Sequence, residues 1–354
     1  VRKQLKKGGM NLEQRIDAIS ALSRHLAEEK DEYLLAVQQR TYHNNQWFTI
    51  ENQQYATRSI VSQLLNAQHL SQWLAPYNIP EKNIPKTVGM VLSGNVPLAG
   101  FRDLLFVFLA GHRCVIKLSE QDQYILPYFI RLLEKIDPAT KGYFSIAEKL
   151  KGFDAVIAMG SNDNMRYFEA YFGRYPNIIR KNKHAVAVLD GTETQEALKS
   201  LGSDIFRYFG LSRRNISKLY VPENYDFEPL LEVLHEHKEI VLNSKYKNNF
   251  DYHYAIYIIN RAKYLANGCI ILREAEAIAS PIANLHYQYY QNTTQLQADL
   301  KRQQEDIQLI STKINLNGLP TTPLGSAFQI SLGDAESVET MQFLLKLSNS
   351  QNAD

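Results

Sequence analysis

From Thr87 onward short apolar runs alternate with helical stretches, and no other feature restricts the fold as strongly. Residues 88–92, 114–119, 154–159 and 185–189 have the length and composition of buried strands. Residues 98–110, 124–136 and 164–172 carry apolar side chains at helical spacing between them. Strands joined by helices predict a parallel sheet covered on both faces, with right-handed crossovers and ligands at the carboxyl ends of the strands. Ahead of this alternation, residues 11–85 read as helices. Leu12, Ile16, Ile19, Leu22 and Leu26 form one stripe opened by an Asn11–Gln14 capping box, and Thr49 with Asn52 opens another. After Pro222 the pattern is looser. Helices are expected at 227–237, 295–305 and 337–347, strands at 268–272 and 307–310, and an aromatic strand-like segment at 280–290; residues 255–259 suit either state. The expected class is α/β, in two domains each built on a mostly parallel sheet flanked by helices. A basic run before the fourth strand sets the boundary near Asn182, giving domains 1–182 and 183–354 with the closing helix in the second.

With 354 residues, 45% hydrophobic and 21% charged, the chain has room for two soluble domains. A formal net charge of +2 is too small to argue for nucleic acid or an anionic membrane. The longest apolar stretch, 88–110, is interrupted by Asn95, Arg102 and Asp103, so no membrane span is expected. The basic residues 1–9 are not followed by the apolar segment of a signal peptide. Cys114 and Cys269 are too few for a disulfide framework or a thiolate metal site, and the cytoplasm is the expected compartment. His235 and His237 stand two apart on an expected helix, so they face different ways and cannot share a metal.

There is no Gly-x-Gly-x-x-Gly after a strand, no P-loop, no Gly-x-Ser-x-Gly elbow and no His-Glu-x-x-His. Three turns at carboxyl ends of expected strands remain. Asn95, in Gly94-Asn95-Val96-Pro97, would present an amide beside a helix N-terminus, where it suits a developing oxyanion; a polar turn residue before proline is the plainer explanation. Lys117 and Ser119 offer a cation and a hydroxyl to a ribose or phosphate, or simply a solvated strand end. Gly160 and Ser161 open a helix, as a pyrophosphate site or as an N-cap. The run 180–184 holds no carboxylate and reads as a solvated loop, or as a contact for a phosphate-rich ligand.

Residues 206–222 read as a helix leaving through Gly210, a polar turn, and a strand stopped by Pro222. Junctions of this kind expose side chains together with backbone N–H groups, and nucleophiles are often mounted on them. Leu211-Ser212-Arg213-Arg214-Asn215 holds no nucleophile of ordinary strength.

The segments SGNVPLAGFRDLL (93–105), FGLSRRNISKLYVPENYDF (209–227), SPIANLHYQYY (280–290) and DAESVETMQFLL (334–345) resemble the LuxC-type fatty acyl-CoA reductases, distant members of the aldehyde dehydrogenase superfamily. The resemblance runs from about Leu12 to Leu347. It implies an aldehyde dehydrogenase-like fold, with N-terminal helices and a Rossmann-like cofactor-binding domain in 1–182 and a catalytic, acyl-binding domain in 183–354. The implied activity is thioester reduction. A cysteine thiolate attacks a fatty acyl-CoA, CoA leaves, and NADPH delivers a hydride to the acyl-enzyme, releasing an aldehyde. By the same resemblance Asn95 is the oxyanion donor, Lys117 with Ser119 meets the adenosine ribose, and Gly160 and Ser161 adjoin the pyrophosphate. The superfamily's water-activating glutamate would fall near Ile179 or Arg180, where no carboxylate stands; that suits a thioester waiting for hydride. The implied partners are fatty acyl-CoA and either further copies of the chain or an acyl-transfer or ligase protein.

One position departs. The related pattern is Gly-Leu-Gly-Cys-Arg-Asn, and Arg213 stands where the cysteine belongs. A guanidinium stays protonated and has no lone pair with which to attack a carbonyl. Ser212 would need a base, and no His or carboxylate is near it in sequence. Cys114 and Cys269 read as small buried hydrophobes. Three readings follow: an NADPH-dependent reductase; a silent member that binds NADPH or acyl-CoA, with Arg213 and Arg214 forming a cationic pocket for a CoA phosphate or a carboxylate; and a doubly wound scaffold serving a complex.

Overall fold

The computed structural model describes residues 9–28, 31–80, 84–160 and 162–349. Four helices open it: α1 (Leu12–Ala27), α2 (Glu32–Asn44), α3 (Ile50–Gln63) and α4 (Ala67–Leu74). Each begins at a side-chain oxygen that accepts a backbone N–H. Asn11 and Gln14 form the expected capping box, and Asp31, Thr49 and Asn66 cap the other three.

The alternation then runs β1 (Thr87–Val91), α5 (Phe101–Leu109), β2 (Arg113–Lys117), α6 (Ile125–Ile136), β3 (Phe144–Ile146), β4 (Ala155–Met159), α7 (Asn162–Phe172) and β5 (Asn177–Arg180). All five strands are parallel, in the order β3-β2-β1-β4-β5. From β1 the chain moves outward to β2 and β3, then returns to build β4 and β5 on the other side. Such a reversal opens a crevice outside the carboxyl ends of the two central strands. α5 starts three residues later than expected. Leu98 has φ +59 and its N–H is bonded to the Asp122 carboxylate, so it cannot begin a helix.

The second sheet is formed by β6 (His184–Val188), β7 (Ile216–Pro222), β8 (Leu265–Ala266), β9 (Ile271–Glu274), β10 (Asn284–Tyr290), β11 (Ile307–Ser311) and β12 (Thr321–Thr322). Its helices are α8 (Gln195–Phe206), α9 (Glu228–His235), α10 (Ser244–Ile259) and α11 (Thr293–Arg302). The strand order is β12-β11-β6-β7-β10-β9-β8, parallel throughout except for the β8–β9 pair. Residues 255–259, open from sequence, are the end of α10. Lys218, wholly buried on β7, donates to the Glu276 carbonyl and the Gln288 side chain at 2.6 Å each and lies over the Tyr220 ring. Desolvation brings its ammonium down to about 8.

The residues up to Lys181, with those from Ile330, form one unit; Asn182–Gln329 form the other. The closing helix, α12 (Ala335–Asn349), therefore belongs with the first unit and not, as expected, with the second. Its attachments explain this. Arg102 bonds Asp334 at 2.8 Å and Glu336 at 2.6 Å. Arg180, at the end of β5, bonds Asp103 at 3.3 Å, Thr340 at 2.5 Å and Glu339 at 3.3 Å. Without α12 these buried charges would lose most of their partners. Arg180 is thus a buried strand residue and not part of a solvated loop; the periodicity of a four-residue strand ending in a charge was too brief to read. No described helix is long and apolar enough to cross a membrane, and no three His, Cys, Asp or Glu among the described residues could hold a metal ion.

Candidate active site

Three of the turns singled out in the sequence leave one edge of the first sheet. Asn95 follows β1, Lys117 and Ser119 end β2, and Gly160 follows β4; these strands are neighbours. Ser161 lies outside the described residues. Lys117 is exposed, while Asn95 and Ser119 are half-buried. The Ser93 hydroxyl donates to the side-chain oxygen of Asn95 and so fixes its amide plane. Gly94 is required by close approach: a Cβ there would collide with the Ser119 hydroxyl and stand 2.7 Å from the Gln121 Cβ. A Cβ on Gly160 would stand 2.7 Å from a ring carbon of Phe168 on α7.

Asp122 ties the loop after β1 to the loop after β2. Its Oδ2 accepts the Leu98 N–H at 2.9 Å, and its own N–H donates to the Ser119 carbonyl at 3.1 Å. From the end of α2, Asn44 and Asn45 donate to the carbonyls of Glu120 and Gln121 at 3.2 and 3.3 Å. Asp122 is buried, Oδ1 has no hydrogen-bond partner among the described residues, and burial pushes the carboxyl up to about 6. A carboxyl with a raised folded pKa contributes stability that is complete below about pH 4 and is lost as the pH rises through about 6. Asp122→Asn keeps the shape and the acceptor but removes the charge. The first unit is therefore expected to gain about 3 kcal/mol at pH 7 and less than about 1 kcal/mol at pH 4. Urea unfolding at the two pH values measures this; an equal gain at both would refute it.

The helix-to-strand junction of the second unit is built around Asn215. α8 ends at Phe206, and Tyr208, Phe209 and Gly210 all take positive φ, +52, +59 and +78. The exit expected at Gly210 alone is spread over three residues, two of them bulky and disfavoured in this region. Both are buried, Tyr208 against Phe328 and Phe209 against Tyr246. The buried Asn215 amide donates to the carbonyls of Asp204, Ile205 and Arg207 at 2.9, 3.1 and 2.7 Å, closing the end of α8. Its oxygen accepts the Ser212 N–H at 2.8 Å. Asp204 accepts the N–H groups of Gly325 and Ala327 at 2.7 and 3.2 Å, and burial pushes its carboxyl up to about 6.

On this turn Arg214 donates to the carbonyls of Ala327 and Gln329 at 3.0 and 3.2 Å. Arg213 turns elsewhere, donating to the Gln308 side chain on β11. It also stands near His184, whose imidazole is pushed down by burial, with Asp306 opposing and Arg213 adding. The two guanidiniums bond different segments, Arg213 on β11 and Arg214 at residues 327 and 329. The Ser212 hydroxyl accepts the Arg214 N–H at 3.2 Å, and no described His or carboxylate bonds to it. Cys114 and Cys269 are buried; burial raises the first thiol and pushes the second up to about 12. The sequence does not single out Asp122, Asn215 or Gln308. Asn215 could have been found as the amide following a helix exit, whereas Asp122 and Gln308 carry no local signal.

Two α/β units of this kind, the first with a five-stranded parallel sheet reversing between β1 and β4, have the fold of the aldehyde dehydrogenases. Aldehyde dehydrogenase 21 from Physcomitrella patens, solved with succinate, superposes with a TM-score of 0.68 over 91% of this chain and 79% of its own, at 13% identity. An aldehyde dehydrogenase from Bacillus cereus in complex with NAD+ gives 0.62 over 88% and 74%, at 14% identity. Within that fold the sequence is more specific. The family described as acyl-CoA reductase (LuxC) matches residues 9–210, and the chain belongs to it. A long-chain acyl-protein thioester reductase of Vibrio harveyi is 24% identical over 243 residues, 62% of this chain. The chain spans about half the length of that relative, 50% of it.

Proposed function

We propose that the chain binds NADPH and a fatty acyl-CoA as its family does, and that the covalent step of thioester reduction is lost. The observation that carries this reading is Arg213, engaged with Gln308 at the position where the family pattern has its nucleophile. Asn95 would donate its amide to the thioester oxygen. Lys117 and Ser119 would meet the adenosine ribose, and Gly160 with the start of α7 would meet the pyrophosphate. The glycine-lined edge that bears these residues suits a dinucleotide, and Ser161 is added by family likeness. Bound NADPH would supply a hydride. A thiolate at position 213 would add to the thioester carbonyl and expel CoA as the C–S bond breaks. A guanidinium cannot, so the thioester stays intact. Two free, buried thiols suit a reducing compartment, and we place the protein in the cytoplasm. A fully active reductase is the second reading; the family match favours it, and it requires a nucleophile outside the turn.

Fluorescence titration with NADPH and with NADH, followed by intact mass after incubation with hexadecanoyl-CoA, tests the proposal. Saturable NADPH binding and an unchanged mass are expected. An acyl adduct would show that the covalent step survives, and failure to bind either dinucleotide would leave only a scaffold. Gly94→Ala, which must displace Ser119, is expected to weaken NADPH binding about tenfold or more. Unchanged affinity would place the dinucleotide elsewhere.

A further inference from the structure

Leu98 is the point at which the turn bearing Asn95 becomes α5. Its side chain is buried, and its φ of +59 is disfavoured for a bulky residue. Its carbonyl accepts the N–H of Phe101, the first residue of α5, at 3.0 Å, and its own N–H donates to Asp122 at 2.9 Å. Two residues separate Leu98 from Asn95, and one of them is Pro97, whose ring fixes φ. Once Leu98 is set, Asn95 has little freedom. Asp122 is itself set from two directions, by its N–H on the Ser119 carbonyl and by Asn44 and Asn45, which hold the carbonyls of Glu120 and Gln121 from the end of α2. No cation offsets its charge among the described residues, and Oδ1 is unsatisfied, so the ionised carboxylate lowers stability where it stands. A group that costs stability while it ties two loops of one site together is a mark of functional constraint.

We infer that Asp122 is a positioning residue: by holding the Leu98 N–H it stops α5 from beginning at Leu98 and keeps Asn95 in the turn that Gly94 packs against Ser119, a role that rests on reading this edge as the NADPH site. An ionised acceptor makes about twice the bond of a neutral one, which offsets the strain at Leu98. With no acceptor the Leu98 N–H would be buried and unmet. Turning Leu98 into the first turn of α5 relieves the strained φ, and it draws the Asn95 turn away from Ser119.

NADPH titration, urea unfolding at pH 7 and hydrogen exchange at the Leu98 amide, each on the full chain, test this. Asp122→Ala should weaken NADPH binding about tenfold or more. Its urea midpoint should stay at or above that of the native chain, because the buried charge is gone. A residue that serves only the fold would lose binding and stability together. Asp122→Asn, which returns an acceptor, should bring the affinity back to within about threefold of native. Leu98 exchange, read without NADPH, should quicken about tenfold or more in Asp122→Ala and recover in Asp122→Asn. Native affinity or native Leu98 exchange in Asp122→Ala overturns the inference. So does an Asp122→Asn chain that binds no better than Asp122→Ala, or a loss of affinity that tracks a lower urea midpoint. A native chain that binds no dinucleotide removes the reading of the edge instead, and Leu98 exchange then decides for or against the hold of Asp122 on the loop.

Discussion

Arg213→Cys is expected to convert a chain that leaves hexadecanoyl-CoA unchanged into one that carries the acyl group on residue 213. The turn is already shaped for this. Ser212, Asn215 and Arg214 hold it through bonds that do not involve the side chain at 213. The substitution forfeits the bond to Gln308, about 1 kcal/mol. Acyl-CoA-dependent consumption of NADPH is expected to rise about 10³-fold or more over the native chain. Intact mass and peptide mapping locate the adduct. A native chain that turns over as fast as the variant would refute the assignment of position 213.

Arg180→Ala should cost the first unit about 3–5 kcal/mol, because it leaves the buried Asp103 carboxylate without its cation. The effect should be largest at α12, whose Thr340 and Glu339 lose the same guanidinium. Hydrogen exchange resolves it, with α12 amides losing protection before those of the central strands. Arg180→Met combined with Asp103→Leu removes both charges at similar volume, and it is expected to recover most of the loss. A cost of under about 1 kcal/mol for Arg180→Ala would mean that packing alone, and not this cluster, holds the helix.

Strands buried on both faces were the most legible part of the fold. β1, β4 and β6 read directly as apolar runs, β2 as a shorter one closed by Lys117, and their order with the intervening helices was enough to place Asn95, Lys117, Ser119 and Gly160 at the carboxyl ends of neighbouring strands. β3 has three residues and β8 two, too few for any period to register. Residues 255–259 at the end of α10 suit either state because Ala-Ile-Tyr-Ile-Ile is apolar at every position and shows no period. The closing helix was misassigned because its partners, Arg102, Asp103 and Arg180, lie more than 150 residues away in sequence. Hydrophobic periodicity says which face of a helix is buried, not which sheet it covers. The same limit hid Asp122, whose bond to Leu98 spans two loops.

The way Asn215 closes the junction before β7 bears on how such a chain changes by descent. Its amide, with the backbone of Ser212 and the reach of Arg214, holds the turn through bonds in which the side chain at 213 takes no part. A cysteine codon becomes an arginine codon by one base transition, and the fold offers little resistance to that step. Loss of the nucleophile would therefore change stability by only about 1 kcal/mol, and selection on chemistry would register it far more strongly. By the same token it would remain open to reversion for as long as Asn215 is kept.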